Sequence, residues 1–205
     1  MSIKIDVQPK EEGRVKKLGG LLLPDGKTWV IPDEMKHINR FKAWLPNEEG
    51  FIVQRPYFVL RAKRVCHKCK KNTPVIQLGA KVGQRAAFGK GDMVTWRRWE
   101  GIPISFTDVT YLDDEIVASL QSNYPFFKFA RSKGLRQKIW GSTCVHCGTL
   151  QEDDDEFRYE NNALHPGTLE EGMEIRIIYF PLQFDYYIEG SEIYDTLITE
   201  IMEGR

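Results

Sequence analysis

The sequence predicts an α+β fold: a small N-terminal β-hairpin/helix module over residues 1–48, then a mainly antiparallel β domain over residues 49–205. Three observations carry that expectation. Apolar residues alternate in short runs, as at Ile3, Ile5 and Val7 and again through Phe51, Val53, Tyr57 and Val59, which is strand periodicity. Helical spacing is confined to short blocks, with Met35, Ile38, Phe41 and Leu45 the clearest. The four cysteines fall in two matched C-x-x-C turns, Cys66-His67-Lys68-Cys69 and Cys144-Val145-His146-Cys147, separated by 74 residues.

At 205 residues the chain can bury a proper core. No apolar run approaches the ~18 residues that span a bilayer, and residues 1–6 lack the apolar stretch of a signal peptide. The reading is a cytoplasmic protein with no membrane partner. Net charge is zero but unevenly spread. Residues 1–90 carry 19 Lys and Arg against 8 Asp and Glu, a net +11. Residues 91–150 carry 7 against 6, and residues 151–205 carry 3 against 15, a net −12. A basic face for an anionic partner, a protein partner for the acidic 151–205 part, and intramolecular docking of the two ends all fit this asymmetry.

In chain order, residues 1–8 read as a strand, and a short basic helix from Glu11 to Leu18 ends at Gly19-Gly20. Leu21-Leu22-Leu23, the turn chemistry of Pro24-Asp25-Gly26-Lys27, and Thr28-Trp29-Val30-Ile31 form a hairpin signal. Pro32-Asp33 opens a helix that Pro46 stops, with Trp44 beside its apolar positions.

Lys17-Leu18-Gly19-Gly20, Thr28-Trp29-Val30-Ile31-Pro32 and Phe41-Lys42-Ala43-Trp44-Leu45-Pro46 together resemble a small module of plasmid- and mobile-element-borne proteins. That module occurs in the N-terminal parts of some DNA primase-like and conjugation-associated proteins. Leu22-Leu23-Pro24-Asp25 stands where the module usually has R-W-D. The resemblance covers residues 3–46 and implies a nucleic-acid-associated context without a defined chemistry. Trp29 and Trp44 read as core residues rather than base-stacking platforms.

Phe51 to Val65 reads as one or two strands entering the first cysteine turn, and Thr73–Leu78 as the strand leaving it. Strand, C-x-x-C turn and strand make half of a zinc ribbon, and Trp140–Gly148 supplies the other half. The expected fold is therefore a zinc-ribbon-containing domain with an insertion at 79–139 between its cysteine pairs. Within the insertion, Gly79–Asp92 is rich in Gly and Lys, and Val94–Trp99 and Ile102–Phe106 are strand-like. Asp113-Asp114-Glu115 caps a helix with Ile116, Val117 and Leu120 as apolar positions. Phe126–Phe129 and Arg136–Trp140 form a hairpin across Ser132-Lys133-Gly134. An acidic helix is expected near 150–160, a strand from Met173 to Tyr187 broken at Pro181, and a terminal helix over Ile193–Met202 capped by Ser191-Glu192.

Two C-x-x-C turns supply four thiolates, the ligand set of a closed tetrahedral site, so Cys66, Cys69, Cys144 and Cys147 are read as ligands of one structural Zn²⁺. The competing redox-dithiol reading calls for one C-x-x-C opening a helix, not two matched turns. With four sulfurs in place, His67 and His146 read as bystanders or as donors to the ligands. The best lead to a partner is basic. Arg55, Arg61, Lys63, Arg64, Lys68, Lys70 and Lys71 gather around the first turn, and Arg97-Arg98 lie between Trp96 and Trp99. Such a row suits phosphates, and the tryptophans suit single-stranded bases. A solvated strand face with core tryptophans is the alternative.

Two motifs do not stand up. Gly83-(x5)-Gly89-Lys90-Gly91 has one residue too many for a phosphate loop and Gly91 in place of Ser/Thr. The run Glu152-Asp153-Asp154-Asp155-Glu156 reads as a solvated or partner-facing helix, because adjacent carboxylates on a helix point apart. No Ser/His/Asp or Cys/His nucleophile set stands out. The sequence thus predicts a zinc-stabilised, non-enzymatic protein that binds DNA or RNA through its basic 55–71 stretch or is accessory to DNA transactions of a mobile element. The alternative is an interaction protein with complementary basic and acidic surfaces.

Overall fold

A computed structural model of the chain describes residues 2–32, 38–45, 50–88, 94–153, 162–181, 184–194 and 196–204. Eleven strands are described: β1 (Ser2–Ile5), β2 (Leu21–Leu22), β3 (Trp29–Pro32), β4 (Phe51–Val53), β5 (Tyr57–Val65), β6 (Asn72–Phe88), β7 (Val94–Leu112), β8 (Phe127–Arg131), β9 (Lys138–Ser142), β10 (Arg176–Phe180) and β11 (Tyr186–Tyr194). Four α-helices accompany them: α1 (Glu12–Lys17), α2 (Asp114–Asn123), α3 (Leu169–Gly172) and α4 (Thr196–Glu203). Among the described residues no helix is long and apolar enough to cross a membrane.

The larger sheet runs β10-β5-β6-β4-β11-β7-β9-β8, and β6 also pairs with β7. Because β4 and β7 each pair with both β6 and β11, these four strands close on one another as a small barrel. Closure satisfies backbone groups that an open sheet would leave at its edges. Among the described residues the edges that remain are β10 and β8.

Strand β6 continues ten residues past the expected end at Leu78, and β7 merges two expected strands into one. Two glycines beyond Leu78 allow close packing. The Phe58 ring lies against Gly79 and the Trp99 ring against Gly83, where a Cβ would collide. Gly83 is therefore a strand residue and not the start of a phosphate loop. β11 likewise runs on to Tyr194, pairing Ser191–Tyr194 with Ile104–Thr107. The terminal helix starts only at Thr196, since β7 offers that segment a ladder of backbone hydrogen bonds.

Three clusters form the core. Phe51, Val59, Leu78, Phe106, Leu112 and Ile188 fill the barrel, and α2 covers it with Ile116 and Leu120. On the other face of β5 and β6, Phe58, Leu60 and Val75 pack on Ile198 and Ile201 of α4. In the N-terminal module β3 pairs with β1 and β2. Trp29 and Trp44 are buried there with Ile3, Ile5, Val15 and Phe41, and Ile52 of β4 and Tyr187 of β11 belong to the same cluster. The expected helix of this module is present as a 3₁₀ helix over Ile38–Trp44; its expected start at Pro32-Asp33 and its stop at Pro46 border residues 33–37 and 46–49, which lie outside the described residues.

Asp113 holds the N-cap position of α2 without capping it. Its carboxylate instead accepts the Tyr187 N–H at 2.9 Å and the Tyr111 hydroxyl at 3.3 Å, joining the helix start to β11.

Candidate metal centre and the basic surface around it

β5 and β6 pair as far as Val65 opposite Asn72, so Cys66–Lys71 is their hairpin turn. The Cys66 N–H donates to the Lys71 carbonyl at 2.9 Å, and the Lys70 N–H donates back to the Cys66 carbonyl at 3.0 Å. Lys70 closes the turn in the left-handed region, at φ 58°. The second turn repeats this pattern. The Cys144 N–H donates to Thr149 and the Gly148 N–H to Cys144, both at 2.8 Å, with Gly148 at φ 70°.

The turns face each other. Cys66 Sγ lies 3.7 Å from Cys147 Sγ, and Cys69 Sγ lies 3.6 Å from Cys144 Sγ. All four sulfurs fall within 4.8 Å of one another. Sulfurs bound ~2.3 Å from a common tetrahedral centre stand about 3.8 Å apart, whereas a disulfide would bring two of them to about 2.05 Å. The set has the spacing of a metal site.

No family model, curated protein or solved structure matches the chain.

Contacts outside the turns hold them in place. Ser142 Oγ accepts the Ile76 N–H at 3.0 Å and donates to the Ile76 carbonyl at 3.3 Å, tying β9 to β6. The Val145 N–H donates to Thr73 Oγ1 at 3.1 Å. His146 Nε2 lies 3.0 Å from the Asn72 carbonyl, so this ring braces one turn against the other's strand and is not a ligand. Gln151 Nε2 donates to Cys66 Sγ at 3.6 Å and to the Thr149 carbonyl at 2.8 Å. The hydroxyl and N–H of Thr149 pull the Cys147 thiol down to about 6, favouring its thiolate. Such donors orient ligands and spread their charge.

The acidic run is not a solvated helix where it is described. Gln151–Asp153 is a 3₁₀ turn in which Gln151 and Glu152 are buried. Glu152 accepts the Ser142 N–H at 2.7 Å, and its carboxylate lies over Gly141, where a side chain would meet it. Burial pushes Glu152 up to about 8. Asp153 accepts the Ser132 hydroxyl at 2.7 Å and the Lys133 N–H at 2.9 Å, fixing the turn of the β8–β9 hairpin. Sequence reasoning missed these roles, because charge pattern alone does not show that the run docks on β9. Residues 154–160 lie outside the described residues.

Of the basic residues, Lys63, Lys68, Lys70 and Lys71 are exposed at the tip of the β5–β6 hairpin. Among the described residues none of these four pairs with a carboxylate. Arg61 is half-buried on β5, opposite Ile76 on one side and Arg176 on the other. Arg64 is half-buried too, and its charge acts on Glu152. Arg55 is committed elsewhere, 3.8 Å from Asp185. The β6–β7 register sets Arg97 opposite Arg85 and Arg98 opposite Gln84, well along the barrel from the hairpin tip.

Proposed function

We propose that Cys66, Cys69, Cys144 and Cys147 hold one structural Zn²⁺ in a split zinc ribbon, and that the basic surface around the first turn binds the phosphates of a nucleic acid. The observation that supports the metal is the pair of Sγ–Sγ distances, 3.6 and 3.7 Å, across two turns of like geometry. Cysteine-only coordination suits zinc. Four protein ligands leave no open position, so the ion clamps β5–β6 to β9 and performs no chemistry. Support for the nucleic acid comes from Lys63, Lys68, Lys70 and Lys71, exposed together without carboxylate partners among the described residues. Each phosphate they neutralise releases counterions. The resemblance of residues 3–46 supports a nucleic-acid-associated context, and on this reading the protein is a cytoplasmic, non-enzymatic accessory to the DNA transactions of a mobile element.

Fluorescence anisotropy with a labelled oligonucleotide tests the reading. Binding should fall steeply with salt, and Lys63→Ala with Lys70→Ala should reduce the slope of log K against log salt by about 1.5. Absence of binding at low salt would refute it.

A second reading has one observation behind it. Leu169, Met173, Tyr179 and Tyr194 are exposed in the acidic C-terminal part, which suits a protein partner. Analytical ultracentrifugation of Met173→Asp against the parent checks whether that partner is a second copy.

A further inference from the structure

The β8–β9 hairpin supplies what the first cysteine turn lacks: an exposed ring between cations. Its turn and strands carry Lys128, Arg131, Lys133, Arg136 and Lys138 and no acidic residue. All five are exposed. Among the described residues β8 has no strand partner on its outer side. Register places Phe129 opposite Trp140 and Arg131 opposite Lys138. Opposed residues in an antiparallel pair share a face, so the two rings and the two cations lie together.

Two features of the arrangement are unfavourable in a bare strand pair. Phe129 is 45 % exposed, although its ring could have been an ordinary strand polar residue. Arg131 and Lys138 are like charges in directly opposed positions, which destabilises a sheet. Beside the exposed ring stands an aromatic row. Trp140 sits 5.3 Å from Phe129 and stacks on Phe127 at 6.0 Å with 17° between planes. Lys138 Nζ lies 5.8 Å over the Phe129 ring. Asp153 fixes the turn that sets the register.

We infer that this face binds single-stranded nucleic acid, with a base on Phe129 and its flanking phosphates at Arg131 and Lys138. Stacked bases and a cationic track are how single strands are held without sequence preference. A duplex offers no free base face to such a ring. The hairpin runs directly into Cys144 through Trp140-Gly141-Ser142-Thr143, so the metal clamp holds the platform beside the basic tip of β5–β6. The inference rests on the nucleic-acid reading above and gives it a strand preference and a second contact surface.

The test uses the full chain with fluorescein-labelled dT15, rU15 and a 15-base-pair duplex, read by anisotropy. Phe129→Ala should weaken single-strand binding at least ~10-fold and duplex binding little, with Phe129→Tyr restoring it. Arg131→Ala with Lys138→Ala should weaken it similarly and flatten the salt dependence. Zinc content and circular dichroism confirm that each variant is folded. Binding that Lys63→Ala with Lys70→Ala abolishes while Phe129→Ala leaves intact overturns this inference and keeps the function proposed above. Binding lost with Phe129→Ala but untouched by the lysine variants supports the platform and overturns the lysine site. Equal affinity for duplex and single strand, or equal competition by polyglutamate, overturns the platform. No binding of any oligonucleotide overturns both.

Discussion

Lys70 and Gly148 occupy the same position in two matched turns. Each follows its leading cysteine by four residues, and each donates its N–H to that cysteine's carbonyl, at 3.0 and 2.8 Å. Each has a positive φ, 58° and 70°. One turn uses the residue suited to that conformation, and the other places a lysine there.

This asymmetry predicts opposite effects. A side chain in the left-handed region costs roughly 1–2 kcal/mol. Gly148→Ala should therefore lower stability by about 1–2 kcal/mol, and Lys70→Gly should raise it by a few tenths to ~1 kcal/mol. Urea titration of both variants checks this, with unchanged slopes showing that only stability moved.

Elemental analysis should find about one zinc per chain. Cobalt in its place should give the visible bands of a tetrahedral all-thiolate site. Cys147→Ser, or a strong chelator, should lower the melting temperature sharply, because binding free energy at such a site is folding free energy. A metal-free protein that melts at the same temperature would sink the assignment.

Glu152 makes stability depend on pH. Its folded value of about 8 lies above the ordinary 4.5, because burial penalises the charge; Arg64 offsets this in part and Asp108 adds to it. The folded state holds the proton more tightly than the unfolded chain. Stability from this group is thus full at low pH and is lost as pH rises between about 4.5 and 8, at up to ~1.4 kcal/mol per unit. Glu152→Gln keeps an oxygen for the Ser142 N–H and removes the titration. Melting temperatures should match the parent's near pH 5 and exceed them near pH 8; parallel profiles would exclude the effect.

Ile52 and Tyr187 lie in the barrel strands yet pack in the N-terminal cluster. Ile52→Ala should cost about 2–5 kcal/mol, and the module should melt with the barrel in one transition. Two separated calorimetric transitions would show the module folding by itself.

Local chemistry was legible where one segment suffices. The cysteine spacing pointed to the four sulfurs that meet, Pro24–Lys27 and Ser132–Gly134 marked their turns, and Ile116 and Leu120 marked the buried face of α2. These features depend on neighbours three or four residues away. Gly79 and Gly83 read only as part of a Gly- and Lys-rich stretch, because their reason, the Phe58 and Trp99 rings, comes from other strands. Ser191-Glu192 has the composition of a helix cap, but β7 lies alongside and the segment joins the sheet.

The candidate site divides in the same way. Sequence alone singles out the four cysteines and the lysines near the first pair. Only the tertiary structure buries Glu152, turns Gln151 toward Cys66 and sets Phe129, Trp140, Arg131 and Lys138 on one face. Spacing is a property of a short stretch of chain. Burial and register come from what packs or pairs with that stretch, and here the partners lie ten to eighty-five residues away.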